Sequence, residues 1–212
     1  MNISPAPGSL AFSAETLKID GAAEIERIVA GLRAQLRGMR KRGLVLGLSG
    51  GIDSSVSVAL AVRAGGAKNV FCLFMPENDS DPESLRLGRL VAETFGVAAV
   101  VEDIGPTLQA MGCYARRDGF IKELVPDYGP GWASKIVIAN SLAGEGYNIS
   151  SLVVQDPEGK RTKLRMPPAV YLGIVAATNM KQRTRKQIEY YHADRLNFAV
   201  LGTPNRLEYD QG

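Results

Sequence analysis

The segment Leu44-Val45-Leu46-Gly47-Leu48 carries no polar side chain, and it runs without a spacer into Ser49-Gly50-Gly51 and a helical stretch from Asp53 to Ala64. A strand with no polar face has to be covered on both sides, the pattern of a parallel sheet layered between helices. Around this junction the rhythm repeats. From Ala22 to Arg40, Ile25, Ile28, Val29, Leu32, Leu36 and Met39 recur at helical spacing, with Glu24, Glu26, Arg27, Arg33 and Arg37 between them. That is an amphipathic helix with one covering face. Asn69 to Met75 reads as a second buried strand stopped by Pro76. Ser80 and Glu83 stand at capping-box spacing and Pro82 suits a first turn, which predicts a helix to about Phe95. Val97 to Val101 and Asn197 to Leu201 read as further strands. Strands alternating with helices predict an α/β fold, a Rossmann-like parallel sheet with helices on both faces.

The stretch of about 112–167 interrupts this rhythm. Tyr128-Gly129-Pro130-Gly131-Trp132 and Gly144-Glu145-Gly146 read as loops, and Ser151 to Met166 as a hairpin turned at Asp156-Pro157-Glu158-Gly159. We read it as an insertion within a single domain spanning 1–212, since 212 residues suit one generous domain at about 150 per domain. Both ends of the insertion lie close to the sheet's ligand side, where loops carry specificity, so two readings stay open: a place over the mouth of the site, or a surface elaboration or dimer contact. Residues 1–14, rich in Pro, Ser, Ala and Gly, read as a loose lead-in.

Composition narrows the function. A net charge of +3 does not support nucleic-acid binding. Cys72 and Cys113 form no C-x-x-C pair, and with His192 as the one histidine the chain cannot build a Cys/His zinc site. No apolar run approaches the ~20 residues that cross a bilayer. Met1-Asn2-Ile3-Ser4-Pro5 has neither the basic nor the apolar region of a signal peptide. A cytoplasmic protein with no membrane and no nucleic-acid partner is the expectation.

The chemistry concentrates in Gly47-Leu48-Ser49-Gly50-Gly51-Ile52-Asp53-Ser54. Glycines at a strand–helix junction let backbone N–H groups approach an anion. The helix N-terminus adds partial positive charge, and Ser49 and Ser54 add hydroxyl donors. Asp53 would repel phosphate unless a cation stood between them, which points to Mg²⁺, a hard ion that takes one or two carboxylates plus phosphate oxygens. A tight turn with Asp53 as helix cap is the plainer alternative. Neither G-x-x-x-x-G-K-[ST] nor a G-x-G-x-x-G after a strand occurs.

S-G-G-x-D-S after a buried strand resembles the loop of the ATP pyrophosphatases, which have the adenine nucleotide alpha-hydrolase-like fold and split ATP between its α and β phosphates. Two further segments, Asn179-Met180-Lys181-Gln182-Arg183-Thr184-Arg185 and Leu201-Gly202-Thr203-Pro204-Asn205-Arg206-Leu207-Glu208, narrow the likeness. They resemble the N-x-K-x-R-x-R helix and G-T-x-x-x-x-E loop of the NAD synthetase family. The resemblance covers about 40–104 and 176–212. It implies a carbon–nitrogen ligase that adenylates deamido-NAD with ATP and lets ammonia displace AMP, giving NAD.

By the same resemblance residues 47–54 and Thr203 bind ATP, Arg183 binds deamido-NAD, and Asp53 and Glu208 hold Mg²⁺; no protein nucleophile is required. A homodimer is implied, with the dinucleotide near the subunit interface. Nothing resembles a glutaminase domain, so the ammonia would be free or delivered by a separate donor. The family pattern continues past position 212 with a loop carrying a lysine and an aspartate, so a C-terminal segment is expected that this sequence does not include. The alternatives are an adenylating amide ligase for another carboxylic acid and a nucleotide-binding protein without turnover.

Other residues read more plainly. Arg185 and Lys186 look like a solvated basic helix face, His192 like a structural residue late on a helix, Cys72 like core, and Lys160, Arg161, Lys163 and Arg165 like solvated hairpin positions.

Overall fold

The structure, a computed structural model, describes residues 18–138 and 150–203, with Ser13 and Glu15 of the lead-in. Gly144–Gly146 and Glu208 lie outside the described residues. Strand β1 (Leu44–Gly47) takes the interior place its composition demands. It pairs in parallel with β2 (Val70–Phe74) on one side and with β7 (Ala199–Val200) on the other. With β3 (Ala98–Val101) at one edge, the described order is β3-β2-β1-β7.

Alternation along β1 assigns the two faces. Leu44, Leu46 and Leu48 pack with Val58 and Ala61 of helix α2 (Ile52–Gly65), Ala92 of α3 (Pro82–Phe95) and Leu36 of α1 (Gly21–Gly38). Val45 turns the other way, onto Leu73 and onto Ala193 of helix α6 (Pro168–Leu196). Helices on both faces of a parallel sheet are what the sequence predicts. Cys72 is wholly buried in the first of these cores, where desolvation pushes its thiol up to about 12.

Boundaries differ in instructive ways. Asp81, not Ser80, caps α3: its carboxylate accepts the Glu83 N–H at 2.9 Å. The Ser80 hydroxyl instead accepts the Glu77 N–H at 3.0 Å and closes the preceding turn. The last strand is shorter than read, because Asn197 is spent as the left-handed C-cap of α6, at φ 54°. Helices α4 (Gly105–Ala110) and α5 (Cys113–Lys122) and strand β4 (Ala133–Ile138) go beyond the sequence reading.

The interrupting stretch builds an antiparallel sheet, β4-β5-β6, from β4, β5 (Ser150–Gln155) and β6 (Arg161–Arg165). The hairpin has the register read from sequence, with Leu152 opposite Leu164 and Val154 opposite Thr162. Asp156 accepts the Lys160 N–H at 2.8 Å, and Gly159 adopts φ +88° to complete the turn. The small sheet has its own apolar core: Leu152 and Val154 meet Ile121 of α5, Tyr128, Met166, and Val170 and Ile174 at the start of α6. Helix α6, about 43 Å long at 1.5 Å per residue, belongs to both cores.

Gly50 holds the loop against the sheet's outer layer. Its φ is +79°, and a Cβ there would stand 2.6 Å from the Ser84 carbonyl oxygen and 2.9 Å from the Gly88 nitrogen of α3. Backbone atoms cannot step aside as a side-chain tip can. Gly50→Ala is therefore expected to destabilise the fold by about 1–3 kcal/mol through left-handed strain alone, before any clash is added. Urea unfolding of the variant beside the wild type reads this, and an unchanged midpoint would refute it.

Candidate functional site

The loop after β1 is arranged around its two hydroxyls. Ser54, in the first turn of α2, is buried; its hydroxyl donates to the Gly51 carbonyl at 3.0 Å and accepts the Ser49 N–H at 3.3 Å. With that proton committed, the Ser49 hydroxyl is the donor across the 3.1 Å gap between the two. Ser49 Oγ also accepts the Gly51 N–H at 3.2 Å. Each hydroxyl thus holds the loop's backbone curled over the start of α2.

The N-cap of α2 is Gly51, which supplies no side-chain cap bond. Asp53 lies within the first turn and does not cap the helix, so the plainer sequence alternative falls away. The exposed N–H groups and the helix dipole are left to an outside anion.

This loop opens onto a cavity of about 650 Å³, within the range of small-molecule sites. Gly47, Leu48, Ser49, Ser54 and Thr203 all line it. Gly50, Gly51, Ile52 and Asp53 form the rest of the loop and the first turn beside it, with Ile52 and Asp53 exposed. The opposite walls come from the end of β2 (Leu73 to Met75, with Pro76 and Glu77), the approach and first turn of α3, and one face of α6. The cavity therefore sits at the carboxyl ends of β1, β2 and β7, where ligands of parallel sheets bind. None of the insertion's described residues is among those lining it, so the small sheet does not wall the cavity of a single chain.

Helix α6 rearranges the basic residues relative to the sequence reading. Gln182, Arg185, Lys186 and Glu189, spaced 3, 4 and 7 along the helix from the first, face the cavity. Arg185 is thus half-buried in the cavity wall, while Lys186 lines the cavity and stays solvent-exposed as read. Arg183 is exposed and lies outside the wall, about 100° around the helix from Gln182. Lys181 points the other way, into an ion-pair network. Its ammonium, largely buried, meets Glu77 at 3.1 Å and also Asp79. Arg117 of α5 pairs with Asp79 and with Asp118. The Tyr114 hydroxyl donates to Glu77 at 2.8 Å, and its own titration is pushed up to about 12, mainly by burial.

Burial pushes the Asp79 carboxyl up, but Lys181 and Arg117 together outweigh it and hold it below the ordinary range. The network clamps the segment between β2 and α3 to α5 and α6.

Glu189 escaped the sequence reading. It is 3% exposed, lines the cavity, and pairs with Lys186 at 2.6 Å, while burial pushes its carboxyl above the usual range. The signal was its position three residues past Lys186 and seven past Gln182. His192 is structural, as read: it is buried, 2.8 Å from Glu102, and stacked on Phe71. Its Nδ1 accepts from Arg195 at 3.0 Å, which puts the ring proton on Nε2, facing Glu102. Lys160, Arg161, Lys163 and Arg165 are exposed.

The family model described as NAD synthase matches residues 24–124 and 160–212, which includes the loop, α6 and Thr203. This chain belongs to the NAD synthase family. The unmatched residues between these stretches contain β4 and β5. Among similar proteins, an NH(3)-dependent NAD(+) synthetase of Rhizobium meliloti (strain 1021) is 89% identical over the whole chain, which covers 64% of that protein. One from Thermotoga neapolitana is 31% identical over 88% of the chain and 59% of the relative. The chain thus spans less than two thirds of the length of these curated relatives.

The solved NH3-dependent NAD synthetase of Campylobacter jejuni aligns with a TM-score of 0.56 at 22% identity, over 92% of this chain and 62% of that one. An NMN synthetase from Francisella tularensis aligns at 0.58 and 19%, over 91% and 58%. These likenesses establish a shared fold with NAD synthase family members.

Lys181→Met should cost about 3 kcal/mol in urea unfolding, because it strands the buried Glu77 carboxylate. Adding Glu77→Gln should recover part of that loss. Asp79 behaves oppositely to a group with a raised pKa: its stabilisation is complete above the ordinary carboxylate range and fades as pH falls through its lowered value. The gap between wild type and Asp79→Asn should accordingly narrow below about pH 4.

Proposed function

We propose that this chain supplies the ATP-binding and adenylating site of an ammonia-dependent NAD synthetase. The observation carrying the reading is the uncapped start of α2, whose loop opens onto a cavity at the sheet's carboxyl edge. An anion is bound best there. In the proposed reaction the nicotinate carboxylate of deamido-NAD attacks the α-phosphorus of ATP and pyrophosphate leaves. Ammonia, free or handed over by a separate donor, then attacks the activated carbonyl, forming the amide of NAD and releasing AMP.

The chain's part is positioning and charge compensation. The free N–H groups at the start of α2 hold the phosphates, Ser49 and Ser54 shape the loop that presents them, and Arg185 faces them from α6. Asp53 stands exposed beside the loop with no ion pair among the described residues, so it is free to hold Mg²⁺; Glu208 would be its second carboxylate. Mg²⁺ commonly takes one or two carboxylates and leaves its other places to phosphate oxygens and water. When bound, the ion neutralises phosphate charge.

Arg183 lies outside the cavity of one chain, on the α6 face that also exposes Leu172 and Tyr190. A homodimer through that face would bring Arg183 to the dinucleotide at the subunit interface. No described helix is long and apolar enough to cross a membrane, and a cytoplasmic enzyme is proposed.

Incubation with ATP, Mg²⁺, ammonia and deamido-NAD should give NAD and AMP by mass spectrometry. Running another carboxylic acid, such as the mononucleotide half of deamido-NAD, in parallel separates this reading from a different amide ligase. ATP binding with no AMP formed would leave a nucleotide-binding protein. Asp53→Asn should leave the fold intact and abolish the Mg²⁺ dependence of ATP binding; wild-type dependence would remove the metal-ligand role. Arg183→Ala should weaken deamido-NAD about tenfold to a hundredfold and ATP far less, since a charge-assisted hydrogen bond is worth roughly 1.5–3 kcal/mol. Equal losses for both ligands would move Arg183 into the scaffold.

A further inference from the structure

Glu189 is a carboxylate inside a cavity that the preceding section gives to a polyanion, and nothing in that reading uses it. Its residue is 3% exposed and lines the cavity. Oε2 is taken by Lys186 at 2.6 Å. Oε1 has no hydrogen-bond partner among the described residues. No fully buried side-chain oxygen or nitrogen is unsatisfied among them, so Oε1 keeps its accessible surface toward the cavity.

The spot it occupies is defined by a missing side chain. Val45 and Gly47 point to the α6 side of the sheet, and a Cβ on Gly47 would stand 3.1 Å from Glu189 Oε1 and 2.9 Å from Met75 Cε. A carboxylate oxygen and a thioether methyl therefore converge over the same bare stretch of β1. A ligand group seated there meets one strong acceptor beside an apolar wall formed by Met75 and Leu73.

Charge orients the ligand. A phosphate is drawn to the start of α2 and finds at Glu189 only an acceptor, its charge already paired with Lys186, so the polyanion lies at the loop and the neutral, donor-bearing end lies toward Glu189. The neutral end of ATP is its nucleoside: a flat apolar base carrying an amino donor, and a ribose carrying hydroxyl donors.

We propose that Glu189 is a specificity-determining residue for the nucleotide, its Oε1 accepting a hydrogen bond from a donor on the nucleoside half of ATP. Lys186 holds the carboxylate in place through Oε2. The base amino group and the ribose hydroxyls share this donor chemistry, and the experiment separates them. Gly47 is required because any side chain there would fill the space between the strand and the carboxylate.

The inference rests on the cavity being the ATP site, and titration calorimetry on the 212-residue chain tests both while keeping them apart. The probes are ATP, ITP (a carbonyl in place of the base amino group), 2′-deoxy-ATP, 3′-deoxy-ATP and inorganic tripolyphosphate. The wild type should bind ATP about tenfold to a hundredfold more tightly than the analogue lacking the donor that Glu189 meets, as a hydrogen bond to a charged group allows. A deficit for ITP identifies the base amino group, and a deficit for a deoxy analogue the ribose. In Glu189→Leu, which removes the acceptor and keeps an apolar side chain, that preference should fall to about threefold or less, with tripolyphosphate binding unchanged. Equal wild-type affinity for all the nucleotides overturns the inference without any variant. So does a Glu189→Leu protein, folded by circular dichroism, that keeps the full preference. Failure of the wild type to bind ATP at all instead overturns the reading of the cavity.

Discussion

Burial of β1 on both faces is the constraint from which the rest of the structure follows. A strand whose every side chain is apolar cannot stand at an edge or face water, so parallel partners flank it and helices cover it above and below. Its carboxyl end must then emerge between two layers, and the chain leaves into α2 across the top of the sheet. The alternation that buries Leu46 beneath α2 and α3 also turns Gly47 toward α6. The start of α2 and the wall carrying Glu189 therefore lie on opposite sides of one strand end. The division of the cavity, a helix start on one side and the charged face of α6 on the other, is a by-product of a period of two.

What could be read from the sequence was whatever local chemistry fixes by itself. Leu44 to Leu48 announced its burial, and Asp156 to Gly159 the turn that sets β5 against β6. The α3 cap was misplaced by one residue because Ser80 and Asp81 are both capable acceptors. Tertiary packing gave Ser80 a different N–H to satisfy. Helix α5 was illegible since its buried residues, Cys113, Tyr114 and Ile121, are set among Arg116, Arg117 and Asp118, and Arg117 is absorbed by Asp79, 38 residues away, in a pairing that no local window contains.

The site shows the same division. Gly47, Leu48, Ser49 and Ser54 of the loop line one cavity with Thr203, while Gly50 to Asp53 lie beside it. The basic run on α6 did not sort as expected, because helical spacing sets which residues share a face but not which face meets the sheet. That decision falls to apolar residues far along the chain, Ile188 and Ala193 against Val45 and Leu73. It sends Lys181 into Glu77 and Asp79, turns Glu189 inward with Lys186 reaching it from the rim, and leaves Arg183 outside. A motif of alternating cations thus divides its labour among a structural clamp, a cavity wall and an open surface.

Helix α6 joins the two apolar cores as one continuous rod, and this has a consequence for motion. Val170 and Ile174 grip the antiparallel sheet; Ala193, about five turns further on, grips the parallel one. No proline interrupts the helix after its first residue, and its glycine, Gly173, is held against the Phe120 ring. A rod without a hinge cannot bend to let one end relax while the other stays seated. Amide protons along its middle should therefore exchange with solvent only when a whole core lets go, in a single cooperative opening rather than by progressive fraying. The cavity wall formed by Gln182 to Glu189 lies on that stretch, and it inherits the stillness of a beam fixed at both ends.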